Sequence, residues 1–150
     1  TQGIAFGLGL PVVAVSTLAA IAYGGFKQSG CPFVLASIDA RMKEVYWSGY
    51  HLSESKAELV IPEAVAAPET VSLPAEHQWV GAGTGWGTYR DQLQGCLGER
   101  LGQVFPDALP YAKHVLEIAL PDFEEGRTVS PEQALPVYLR DNVAKKPALK

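Results

Sequence analysis

"VGAGTGWGTYR", from Val80 to Arg90, places a glycine at every second position: Gly81, Gly83, Gly85 and Gly87. Two local structures need such a stretch. A glycine-rich turn between strand and helix lets backbone N–H groups surround a phosphate. A strand with glycine at alternate positions leaves one face bare, so other backbone can pack against it. A dinucleotide fingerprint requires GxGxxG; Gly81 and Gly83 fit, but Trp86 holds the third glycine position, and no acidic residue falls clearly at the end of a second strand. No glycine is followed by Lys-Ser or Lys-Thr, so there is no P-loop. The strand reading is preferred, with Gly81, Gly83 and Gly85 on the bare face and Val80, Ala82, Thr84 and Trp86 on the other. Gly81, Gly83, Thr84 and Gly85 are the weak candidates for a nucleotide-type cofactor, and no cofactor is assigned.

Upstream, Gln2 to Leu8 reads as the end of a helix that closes near Gly9. Pro11 opens a short β-branched strand, Val12 to Val15. Ser16 is a suitable N-cap for a helix with Leu18, Ile21, Ala22 and Phe26 on one face and Gly30 as its stop. "PFVLASID" and "EVYWSGYHL", joined through "ARMK", form an antiparallel hairpin. In the second strand Val45, Trp47 and Gly49 share one face, and Tyr46, Ser48 and Tyr50 the other. "AELVIPEAV" is a third strand that Pro62 should end. "APETVSLP" is a short helix or loop.

Downstream, Leu93, Leu97 and Leu101 predict a helix. "LPYAKHVLEIALPDFEEG" predicts another, with an apolar stripe of Ala112, Val115, Leu116 and Ala119 that Pro121 should kink or shorten. "PVYL", 136–139, reads as strand-like. These elements define an α/β chain with a mixed sheet.

A length of 150 residues with 47% hydrophobic residues is enough for one cored domain, or one lobe with part of another. The net charge of −4 argues against a nucleic-acid binder acting alone. The basic cluster Lys145, Lys146 and Lys150 reads as a solvated tail. Cys31 and Cys96 show no metal-ligand spacing and fit a reducing compartment. The chain lacks an initial Met and starts within an amphipathic pattern, which suggests a fragment whose N-terminal part is missing. No secretory leader or membrane span is recognised, because Pro11, Ser16 and glycines interrupt the apolar start.

The candidates for chemistry are few. His51, His77 and His114 have no HxxxH spacing, so each is read as structural and no metal site is assigned. Glu54 with Glu58 and Glu124 with Glu125 read as solvated carboxylates, because nothing predicts burial that would split their pKa values. Asp39, beside Arg41 at the hairpin tip, is read first as a turn-fixing residue and second as a functional carboxylate facing a cleft. There is no GxSxG elbow and no cysteine–histidine pairing, so no catalytic residue is assigned.

"LPVVAVSTLAAIA", "VLASIDARMKEVYW", "VGAGTGW" and "PVYLRDNVAKK" resemble, in order and spacing, the bacterial TsaB (YeaZ) family. The likeness covers nearly the whole chain, and "IDARMKEVYW" and "PVYLRDNVA" are its most specific parts. It implies an actin-like, Hsp70-like (ASKHA) two-lobed fold with a ribonuclease H-like core in each lobe. Residues 1–10 would be a remnant helix of the first lobe, which in intact members follows a glycine-rich GPGSFTG segment. Residues 11–150 would be the C-terminal lobe, the final segment packing on the missing one.

The resemblance also implies a function. It is that of a non-catalytic, cytoplasmic subunit working with TsaD and TsaE in threonylcarbamoylation of the adenosine beside the tRNA anticodon. Such a subunit is expected to form a homodimer when alone and to meet tRNA only through the complex. Gln2, Gly3, Phe6 and Gly7 are the partner-interface candidates, since Gly3 and Gly7 make a smooth helix face beside Phe6. The alternative is an actin-like-fold enzyme, a nucleotide phosphotransferase or glycoprotease-type hydrolase, motivated by the glycine stretch and Asp39.

Overall fold

The computed structural model describes residues 1–72, 74 and 76–140; Lys145, Lys146 and Lys150 lie outside them. Its centre is a five-stranded mixed sheet of order β3-β2-β1-β4-β5. Strand β1 (Phe33–Asp39) pairs antiparallel with β2 (Val45–Ser53), and β2 pairs antiparallel with β3 (Lys56–Ala66). On its other side β1 runs parallel to β4 (Trp79–Ala82), which runs parallel to β5 (Leu101–Phe105). The expected hairpin is thus present, and it supplies the antiparallel half of the sheet.

Both faces of the central strands β1 and β4 are largely buried, which explains the apolar runs Phe33–Ala36 and Trp79–Ala82. One face packs Val34, Ala36, Tyr50 and Val80 under helix α2 (Thr17–Ser29). The other packs Leu35, Val45, Trp47 and Trp79 under α3 (Thr84–Thr88) and α4 (Arg90–Leu97), which contribute Trp86, Leu93 and Leu97. Ser16 caps α2 as expected: its Oγ accepts from the N–H groups of Leu18 and Ala19. Gly30 ends α2 in the left-handed region at φ 72°, which costs glycine little.

Ser16 also joins a polar cluster. Its hydroxyl donates to the Glu63 carboxylate, and the Tyr50 hydroxyl donates to the same oxygen at 2.5 Å. Glu63 thereby ties the start of α2 to edge strand β3.

Several sequence expectations are corrected. Val12 to Val15 is not a sheet strand; Val12 makes only an isolated antiparallel bridge with Val129. Pro62 does not end β3, which continues to Ala66. It is tolerated because β3 is the outer strand and because the pairing with β2 is irregular there, stepping from Ile61 opposite Gly49 to Ala64 opposite Trp47. Leu101 starts β5 instead of extending a helix, after Gly98 breaks α4. Helix α5 (Ala112–Glu124) runs through Pro121. It packs on α2, with Ile118 against the core, so the stripe expected to be buried leaves Leu116 66% exposed. Residues 136–139 form no strand, and Val137 and Tyr138 are exposed.

Candidate functional site: the carboxyl ends of β1 and β4

The glycine stretch is a strand, turn and helix, so the all-strand reading fails after Ala82. Gly83 makes the turn at φ 105°, and its N–H donates to the Phe105 carbonyl at 3.0 Å. A side chain at Gly83 would be strained by the backbone angle. It would also collide, because a Cβ there would lie 2.4 Å from the Ser37 carbonyl oxygen. At Gly85 a Cβ would lie 2.2 Å from Ser37 Oγ, and at Gly81 2.5 Å from Trp86 Cε2. The protein's own atoms therefore occupy the close approach that these glycines permit. Trp86 is not an anchor on the opposite face of a strand. It sits on α3, folds back over Gly81, and donates from Nε1 to the Leu35 carbonyl at 3.1 Å.

Parallel pairing of β1 and β4 brings Asp39 beside this turn. The Asp39 N–H donates to Thr84 Oγ1 at 3.4 Å. Asp39 Oδ1 accepts the Arg41 N–H at 2.8 Å, which is the turn-fixing role expected. The Tyr89 hydroxyl donates to the same carboxylate at 3.5 Å. Burial first, and then the Asp39 charge, raise the Tyr89 pKa above its ordinary value. The weak cofactor candidates and Asp39 thus share one strand-end region, where ligands often bind in α/β sheets. No group of three or more His, Cys, Asp or Glu able to hold a metal ion gathers among the described residues.

Beyond Asp39 the chain turns through Arg41, Met42 and Lys43 at φ 62°, 56° and 62°. None is glycine, and each left-handed residue costs roughly 1–2 kcal/mol. Arg140 holds this tip from almost one hundred residues away. Its Nη1 donates to the Ala40 carbonyl at 2.8 Å, and its Nη2 pairs with the Glu44 carboxylate. Its guanidinium lies 5.6 Å from the centre of the Tyr46 ring. The two stretches that carry the family likeness most specifically, "IDARMKEVYW" and "PVYLRDNVA", meet through this clamp. Sequence reasoning missed Arg140: both stretches were visible, but nothing local joins them.

The partner-interface candidates lie on α1 (Gln2–Leu8). Ala5 faces inward, and Gln2 Nε2 donates to the Pro131 carbonyl at 2.8 Å. Gly3 and Gly7 have no protein atom within 4 Å of where a Cβ would stand, and Phe6 is exposed. Gln2 therefore holds α1 to the body, while Gly3, Phe6 and Gly7 stay open.

The other candidates serve local packing. His77 stacks on Phe33 at 3.9 Å between ring centres, and His51 stacks on it at 4.8 Å. The Gly24 backbone faces His114. Glu54 pairs with Lys27, Glu58 with Lys56, and Glu125 with Arg127. Cys31 and Cys96 are free thiols. No helix among the described residues is long and apolar enough to cross a membrane.

A mixed sheet of this order with helices on both faces is an actin-like α/β architecture of the threonylcarbamoyltransferase kind, and solved structures share it. A Pseudomonas aeruginosa protein described as similar to peptidase YEAZ superposes with a TM-score of 0.83 at 44% identity, over 93% of this chain and 63% of that one. YeaZ from Pseudomonas aeruginosa gives 0.83 at 43% identity, over 92% and 63%. The chain belongs to the family described as "TsaD: tRNA N6-adenosine threonylcarbamoyltransferase", whose model matches residues 1–148. Within it, the chain is 44% identical to the tRNA threonylcarbamoyladenosine biosynthesis protein TsaB of Escherichia coli, over 97% of this chain and 64% of that protein. It is 33% identical to TsaB of Haemophilus influenzae, over 97% and 63%. The resemblance to TsaB read from the sequence is therefore correct, and the chain spans a little under two thirds of the relatives' length.

Proposed function

We propose that this chain is the larger part of a TsaB-type subunit, which supports threonylcarbamoyl transfer to tRNA without performing it. The observation that carries this reading is 44% identity to Escherichia coli TsaB across nearly the whole chain. The site supports it, since Ser37 and Trp86 occupy the approach to the glycine turn where a nucleotide phosphate would otherwise reach backbone. Residues 11–150 form the second lobe, and residues 1–10 end a helix of the first. The open Gly3, Phe6 and Gly7 face of α1 packs helix to helix, against TsaD in the working complex and against a second copy when alone. TsaE completes the assembly, which acts in the cytoplasm and alone meets tRNA.

The experiment reconstitutes tRNA modification with TsaD, TsaE and the intact protein that contains this chain. Modification is expected only when all three are present, with co-elution of the intact protein and TsaD. Full modification by TsaD and TsaE alone would overturn the reading. Phe6→Asp in α1 should weaken the co-elution without unfolding the protein, because Phe6 is exposed.

A further inference from the structure

We draw no further inference here: the strongest candidate, the side-chain cluster between α2 and α5 in which His114 Nδ1 and Glu117 Oε2 are buried without hydrogen-bond partners, carries nothing, because the His114 ring is packed against Gly24 and no third metal-ligating side chain joins the pair among the described residues.

Discussion

The indole of Trp86 lies directly against the backbone of Gly81, so close that a Cβ on Gly81 would stand 2.5 Å from Trp86 Cε2. Both residues are fixed by the fold, Gly81 in the β4 ladder beside Leu35 and Trp86 by its bond to the Leu35 carbonyl. Neither can move aside without loosening the sheet. Gly81→Ala should therefore destabilise the protein by about 1–3 kcal/mol, the usual cost of overpacking a core. Urea unfolding is the measurement, and an unchanged midpoint would contradict this packing.

Ser37 and Ser48 are both fully buried, yet they should respond in opposite ways. Ser48 Oγ donates to the Ile61 carbonyl at 2.7 Å, whereas Ser37 Oγ has no hydrogen-bond partner. Removing a satisfied hydroxyl loses about 1 kcal/mol, while removing an unsatisfied one relieves a desolvation cost. Ser48→Ala should lower the unfolding midpoint, and Ser37→Ala should leave it unchanged or raise it.

The tip carries strain that glycine would remove. Lys43→Gly should stabilise the isolated protein by about 1 kcal/mol, because the left-handed angle no longer costs anything. Arg140→Gln should destabilise by about 1–2 kcal/mol, since the Ala40 carbonyl and the Glu44 carboxylate lose their donors. Paired melts of the two single variants and the double variant would show whether the clamp acts on the tip.

Tyr50 gives a pH dependence of known sign. Burial first, and then its hydrogen bond to Glu63, push its pKa well above the ordinary 10.0. The folded state therefore keeps a proton that the unfolded state loses above about pH 10. With more protons bound to the folded form, stability falls as pH rises above that point, and Tyr50 contributes fully below it. Tyr50→Phe should flatten the loss of stability above about pH 10. In the parent protein one tyrosine should ionise later than the rest in an ultraviolet titration.

Much of the fold was legible from local chemistry. The hairpin, the Ser16 cap, the Gly30 stop and the face assignment of β2 all follow from alternation and from residues with special backbone or hydrogen-bonding properties. The failures came where tertiary context overrode them. Pro62 is tolerated only because β3 is an outer strand with an irregular pairing, and no sequence window shows which strand is outermost. Leu101 continued a helical spacing by coincidence, and it joined β5 because Gly98 ends α4 and β4 offers a parallel neighbour.

The candidate region was legible in parts but not as a whole. The sequence alone determined that Asp39 would fix a turn and that the glycine stretch lacked a complete phosphate fingerprint, since those properties lie in single residues and short spacings. Only the tertiary structure decided what the glycines are for. Ser37 and Trp86 fill the space beside them, and that contact exists only after β1 and β4 pair. It also decided that Arg140 would hold the Arg41–Lys43 turn, because a guanidinium almost one hundred residues away meets a hairpin tip only after the chain has folded back against it.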